Sequence, residues 1–122
     1  MKLHASARSA LNTFTAYGEG YVAVNDVRHD ANLIVLPEQL LPWDVAGFDA
    51  LKESDFGIFF DLKLEILLLG TGPKQRFAHP RLTRALAAKR VGVEAMDLQA
   101  TCRTYNILVA EERRVAAALL FS

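Results

Sequence analysis

The sequence predicts an α/β protein: a single three-layer domain with a mixed central sheet flanked by helices, plus an N-terminal β-hairpin. Three observations carry this reading. The runs Glu65–Leu69 and Arg113–Leu120 are short and largely apolar, as strands covered on both faces are. Pro80–Lys89 and Leu98–Glu111 repeat apolar residues at the three- and four-residue spacing of a helix. Together they give the order strand, loop, helix, strand, helix, strand after Leu64, with Val91–Met96 as the middle strand.

The chain of 122 residues supports one core and one domain, taken as 13–122 behind a flexible N-terminus over 1–12. That N-terminus is rich in Ala and Ser and carries Lys2 and Arg8 without an acid. A transit peptide shares the composition, but the stretch is short and lacks an amphipathic pattern. At 52% hydrophobic and 23% charged, the chain is that of an ordinary globular protein. Its apolar runs fall far short of the roughly 20 residues a spanning helix needs, so no membrane insertion is expected.

One cysteine excludes an internal disulfide and fits a reducing compartment: the cytoplasm, or the mitochondrial matrix for a eukaryotic source. That cysteine and three scattered histidines make no metal-ligand spacing, and nothing calls for a cofactor. Net charge is zero but uneven. Through Leu69 there are five Lys and Arg against ten Asp and Glu; from Gly70 onward there are nine against four. Such asymmetry marks a partner surface, a basic pocket or packing between the halves. There is no basic run interleaved with aromatics, so no nucleic-acid partner is expected.

Taken in order, Phe14–Asp26 reads as a hairpin turning at Gly18-Glu19-Gly20, with Asn25-Asp26 as a second turn. Asn32–Leu36 is a strand bounded by Asp30 and Pro37. Pro37 and Pro42 make Glu38–Trp43 a loop, with Trp43 packed on the core. Ser54 is a candidate cap for a short helix through Phe60 that gathers Phe56, Phe59 and Phe60 on one face. Glu65–Leu69 is expected at the centre of the sheet, and Asp97 is positioned to cap the helix that follows it.

The candidate pocket joins Gly70, Thr71, Gly72, Pro73 and Lys74 to Cys102, Arg103, Thr104 and Asn106. A glycine-rich turn after a buried strand can bring backbone amides close to an anion. Gly-Thr-Gly-Pro is neither a Walker loop nor a dinucleotide fingerprint, and a tight turn with positive φ explains it equally well. Cys102 falls on the apolar stripe of its helix, where a cysteine behaves as a small inert hydrophobe. The fork of Arg103 can hold a carboxylate, a carbonyl or a small anion, or form a salt bridge to Glu111 or Asp97. Asn106 and Tyr105 commonly satisfy buried backbone groups. His4, His29 and His79 are expected at the surface. No triad is evident and no catalytic residue is assigned.

Several stretches carry a resemblance: NLIVLP at Asn32–Pro37, LLLGTGP at Leu67–Pro73, VGVEAMD at Val91–Asp97 and ATCRTYNILVAEERRVAAAL at Ala100–Leu119. In unbroken order they resemble an uncharacterised small-domain family of bacteria and archaea whose mitochondrial member is complex I assembly factor three. The resemblance covers the chain from about Phe14 onward. It implies a three-layer α/β fold with a mixed sheet and, in the mitochondrial member, a role in assembling a respiratory complex. It implies no reaction. The chain departs from the family pattern at Leu98, where threonine is usual, at Thr101, where alanine is usual, and at Glu112, where glycine is common.

Two function classes follow. One is a non-enzymatic assembly module that binds protein partners. The other is an enzyme that binds a small molecule or anion at the Gly70–Pro73 turn and the Cys102–Thr104 helix.

Overall fold

The computed structural model describes residues 11–121. A three-stranded antiparallel sheet comes first: β1 (Phe14–Gly18), β2 (Tyr21–Val24) and β3 (Val27–His29), in that order. The expected hairpin is present and gains a third strand. Asn25 and Asp26 form its second turn with φ of 49° and 69°, the left-handed pair that a two-residue hairpin loop needs.

The second sheet has five strands: β4 (Leu33–Leu36), β5 (Gln39–Pro42), β6 (Ile66–Gly70), β7 (Gly92–Met96) and β8 (Val115–Leu119). Their spatial order is β5-β4-β8-β6-β7. β6 runs parallel to both β7 and β8, whereas β4 is antiparallel to β8 and to β5, so the sheet is mixed as expected. The central strand is β8, not β6, which lies one place nearer the edge. Ala116, Ala117 and Ala118 sit fully buried there, small enough for elements on both faces to come close.

The expected loop at Glu38–Trp43 is largely the edge strand β5. Its two prolines escape the usual penalty: Pro37 precedes β5 and Pro42 ends it, and an edge strand tolerates a missing donor. Ser54 caps nothing. A 3₁₀ segment begins at Glu53, where the Asp55 carboxylate accepts the Lys52 amide at 2.8 Å. Phe56 and Phe59, three residues apart, share one face at the 3₁₀ period.

The two helices are α1 (Pro80–Ala88) and α2 (Leu98–Ala110). α1, the 3₁₀ segment and Trp43 cover one face of the large sheet, packing on Ile34, Leu67, Leu69, Ala118 and Leu120. Trp43 lies edge-on to Phe56 and Phe59, each at 5.9 Å between centroids. Such pairs add about 0.5–1.5 kcal/mol each beyond area burial. α2 covers the other face through Leu98, Cys102, Tyr105 and Val109. The small sheet lies over α2 in turn, with Phe14 edge-on to Tyr105 at 5.0 Å.

Both helices end in the same way. The Arg90 and Val91 amides donate to the Ala87 and Leu86 carbonyls; those of Glu112 and Arg113 donate to Val109 and Leu108. These are Schellman motifs, with Arg90 (φ 64°) and Glu112 (φ 62°) in the left-handed position usually given to glycine.

Of the expected flexible stretch, residues 1–10 and with them His4 lie outside the described residues. Asn12 is held by the Pro37 carbonyl at 2.8 Å and receives the Tyr105 hydroxyl at 3.0 Å. His79 is exposed, and its Nδ1 accepts the Arg81 amide at the start of α1. His29 is half-buried, and its Nε2 has no hydrogen-bond partner among the described residues. Its β-pairing opposite fully buried Val22 turns it inward.

Candidate functional site

β6 ends in the Gly70–Pro73 turn, and Thr71 builds that turn. Its hydroxyl, fully buried, donates to the Lys74 carbonyl at 2.8 Å and accepts the Arg76 amide at 3.0 Å. Its own amide donates to Met96 of β7, and its carbonyl accepts Arg76 Nη2 at 2.9 Å. The Arg76 guanidinium lies over the Phe48 ring at 4.4 Å, with a buried Nε that has no partner among the described residues. Arg76 therefore locks the turn, a role that nothing in the spacing of the sequence signalled.

The two glycines have different causes. Gly72 has a φ of 89°, which a side chain disfavours. At Gly70 a Cβ would lie 3.0 Å from Leu119 Cδ2 and 3.1 Å from Thr101 Oγ1, so glycine is what lets α2 approach β6.

Beside this turn a cleft of about 560 Å³ opens at the carboxyl ends of the parallel strands. Gly72 and Pro73 form one wall, Asp97, Leu98 and Gln99 at the start of α2 a second, and Tyr17 through Gly20 of the β1–β2 hairpin a third, with Phe121 completing it. The hairpin tip is stiffened by stacking. The Tyr21 ring lies so close over Gly18 that a Cβ there would meet it at 2.4 Å, and the Arg28 guanidinium stacks on Tyr21 at 4.1 Å. The tip is tied to α2 by Gln99 Nε2, which donates to Tyr17 Oη at 3.3 Å.

The candidate residues divide. Gly72 and Pro73 line the cleft, while Gly70 and Thr71 are buried beneath it and Lys74 is exposed beside it. Arg103 is exposed and reaches the Tyr17 hydroxyl; hydrogen bonds from Gln99 first and Arg103 second hold that phenol below its ordinary range. Cys102 lies in the core at 1% exposure, where burial pushes its thiol up to about 12 against a small opposing pull from Arg103. Asn106 serves the backbone, donating to the Phe14 carbonyl at 2.8 Å and accepting the Phe14 amide at 2.9 Å. Thr104 is half-buried in the next position.

Asp97 caps α2 as the sequence suggested: Oδ1 accepts the Ala100 amide at 2.8 Å. Sequence reasoning missed Tyr17 and Glu19, which only the folded hairpin brings to α2, and Phe121, which the end of β8 delivers to the same cleft. Among the described residues no group of three or more His, Cys, Asp or Glu gathers as metal ligands. No described helix is long and apolar enough to cross a membrane.

Fold and site together define a small three-layer α/β domain with an acidic cleft above its parallel strands. The chain belongs to the family described as "Protein of unknown function (DUF498/DUF598)", whose model matches residues 14–120. It is 33% identical over 89 residues to the Mus musculus NADH dehydrogenase [ubiquinone] 1 alpha subcomplex assembly factor 3, a match covering 71% of this chain and 48% of that protein. The chain thus spans about half the length of that relative. It is 28% identical over 109 residues to a Francisella tularensis protein named "13 kDa major membrane protein", covering 88% of this chain and 89% of that one. Among solved structures, a Bordetella parapertussis protein superposes with a TM-score of 0.87 at 46% identity, covering 93% of this chain and 98% of that one.

Proposed function

We propose that this protein is a non-enzymatic, protein-binding module of the assembly-factor kind. The observation that carries the reading is the 33% identity to the assembly factor over 71% of this chain. The site is consistent with it. Cys102 is a core thiol, Thr71 and Asn106 hold backbone, and Asp97 caps a helix. None of these is arranged as a nucleophile beside a base. Val27, Ile58, Phe77 and Ile107 are large apolar side chains left exposed, with Phe77 at 78% the most so. Apolar groups scattered singly in this way are ordinary on a protein surface and add nothing to the reading.

The proposed compartment is the cytoplasm, in keeping with a single unpaired cysteine. The name of the Francisella relative places that protein at a membrane. Attachment through a partner reconciles the two without a spanning helix.

A second reading, an enzyme binding a small molecule or anion at the Gly70–Pro73 turn and the Cys102–Thr104 helix, has the position of the cleft in its favour. Ligands of α/β sheets bind beyond the carboxyl ends of the strands.

Affinity capture of the tagged full chain from its native cell, with quantitative mass spectrometry, tests the first reading. Reproducible enrichment of defined partners is expected. Arg103→Ala should change stability by about 1 kcal/mol or less, since the residue is exposed. A protein that captures no partner, yet retains a small molecule through purification and binds it less well as Arg103→Ala, would favour the second.

A further inference from the structure

A strand at the edge of a sheet carries a row of unpaired amides and carbonyls, and folded proteins blunt such edges. The edge strands here are β1, β3, β5 and β7. β1 breaks register between Phe14 and Ala16, and Asn106 takes both the amide and the carbonyl of Phe14. β3 is three residues long. Beside β5 the Trp43 amide donates inward to the Asn32 carbonyl, so by alternation Pro42 faces outward, where it offers no donor. β7 has none of these devices. Its five residues, Gly92–Met96, include no proline, lysine or arginine and keep unbroken register with β6. The Gly92 amide donates to Glu65, and the Met96 carbonyl accepts the Thr71 amide. Gly92, Glu94 and Met96 therefore bond inward, and Val93 and Ala95 direct their backbone groups outward. One of those groups is filled by a side chain: Gln75 Nε2 donates to the Ala95 carbonyl at 2.9 Å, an amide standing where the amide of a further strand would sit. The Val93 amide and carbonyl and the Ala95 amide have no partner among the described residues.

We infer that β7 is a docking edge: an extended segment of a partner protein adds to it as an antiparallel strand, with a lysine or arginine opposite Glu94 and an apolar residue on either side. The inference rests on the protein-binding reading above and gives it a surface and a partner chemistry. Glu94 selects the occupant. It is exposed, it is the one charged residue of the strand, and it forms no ion pair among the described residues. A second copy of this chain is disfavoured. In the two-fold register that uses both outward residues, the two copies of Glu94 would stand opposite each other in a non-hydrogen-bonded pair, about 4.5 Å apart at Cα. Like charges so placed are destabilising, whereas an opposite charge is favourable. Main-chain bonds hold such an added strand, and alternate side chains give it specificity. Val93 and Ala95 pack against the core beneath α1 but are only partly buried, so apolar residues opposite them extend that core.

The test uses amide NMR spectra of the full chain titrated with acetyl-Thr-Val-Lys-Val-Thr-amide and with its counterpart acetyl-Thr-Val-Glu-Val-Thr-amide. The lysine peptide should shift the Val93 and Ala95 amides saturably in the millimolar range. The glutamate peptide should bind about tenfold more weakly, the difference between an opposite and a like pair. Glu94→Lys should reverse that preference, and because the residue is exposed the variant should melt with the wild type. Methylating the amides of both valines in the lysine peptide should abolish binding, whereas methylating the lysine amide should not, since in this pairing only the valine amides face β7. Ala95→Pro removes an outward donor that the β6 pairing does not use and should also abolish binding.

Equal affinity for the two peptides, a preference that Glu94→Lys leaves unreversed, or shifts confined to other strands overturns the inference. Binding lost on methylating the lysine amide alone overturns the antiparallel pairing. A wild type that sediments as a dimer, and as a monomer once Ala95→Pro is introduced, makes a second copy the occupant and overturns the partner assignment. Affinity capture separates the two levels. Wild type and Glu94→Lys capturing the same partners equally well would leave protein binding intact and remove β7 from it. A wild type that captures none, while still binding the lysine peptide at β7, would remove the protein-binding reading and leave the charge preference of the edge standing.

Discussion

The two ends of the parallel strands are unlike. At the carboxyl ends the cleft carries Glu19, Asp97 and two aromatic rings. At the amino ends a second cavity, about 360 Å³, is walled by Leu36, Leu62, Leu64, Val109 and Val115, with Arg113 and Arg114 among its polar residues. Arg113 bonds the Glu65 carboxylate at 3.1 Å, and the Arg114 amide donates to the same carboxylate at 3.0 Å. The positive surplus that begins in the sequence at Gly70 is therefore divided: Lys74, Arg76 and Arg103 lie by the Gly70–Pro73 turn and its cleft, and the other six lie elsewhere. Arg81, Arg84, Lys89 and Arg90 are exposed on and after α1, and Arg113 and Arg114 return to the opposite end of the sheet. Each crossover in a parallel sheet carries the chain from one end to the other. Neighbouring stretches of sequence thus alternate between ends, and a charge excess along the chain does not predict a charge excess in one pocket.

The largest expected effect concerns Cys102, which lines neither cavity. Burial raises its thiol from an ordinary 9.0 to about 12. At pH 8 its thiolate is then roughly a thousandfold rarer than in an exposed thiol, and only the thiolate attacks. Iodoacetamide should modify the native protein very slowly and the urea-unfolded chain fast. The sign of the linkage follows. The folded value is raised, so the stability associated with the neutral thiol is complete below about pH 9 and is lost as pH climbs toward 12. Urea melts across that window should show the decline, and Cys102→Ser or Ala should shrink it. Fast native alkylation would mean that α2 opens to one of the two ends.

Next in size is Thr71→Val. It removes a buried hydroxyl that both donates to Lys74 and accepts from Arg76, leaving a carbonyl and an amide without their partner. A loss of about 3 kcal/mol is expected by urea denaturation, since each stranded group costs about 1–3 kcal/mol. A loss well under 1 kcal/mol would mean that the turn is not built on this hydroxyl.

Gly70→Ala should cost about 2 kcal/mol through overpacking against Leu119 and Thr101. Thr101→Ala removes one of those contacts, so the double variant should recover part of the loss, a coupling of about 1 kcal/mol in a double-mutant cycle. Additive losses would show that Leu119 alone sets the clash.

What was legible in the sequence had a local cause. Ile66–Leu69 and Val115–Leu119 read as buried strands because both of their faces are covered, and Asp97 read as a cap because its carboxylate serves an amide three residues on. The burial of Cys102 followed from its place on the helical stripe. Less legible was anything fixed by a distant partner. The centrality of β8 depends on β4 pairing beside it, and the edge strand β5 depends on β4 as a template. Glu19 and Tyr17 reach the cleft only because the small sheet folds over α2. The Gly-Thr-Gly-Pro turn was visible as a turn, whereas its lock, Arg76 against Thr71 and Phe48, was not.

The smallest expected effect lies at the amino-end cavity, where α2 gives way to β8. The Glu112 amide donates to Val109 and that of Arg113 to Leu108, so Glu112 occupies the position of the Schellman motif that must be left-handed. Its φ of 62° crowds a Cβ against the following carbonyl, a cost that glycine does not carry. No glycine stands after Glu111 to mark the end, which is why the sequence placed Glu111 in the helix when it is the capping residue. Glu112→Gly should therefore stabilise the fold, by less than about 1 kcal/mol, because glycine also loses more backbone entropy on folding. The gain is further reduced by the interaction that the Glu112 residue makes. Arg90→Gly, at the matching position of α1 with φ of 64°, supplies the control away from either cavity. Equal gains at both sites would show that backbone strain alone is being relieved. A gain at Arg90 with a loss at Glu112 would show that the acidic side chain, beside Arg113 and Arg114, contributes more to the amino-end cavity than its strained backbone costs.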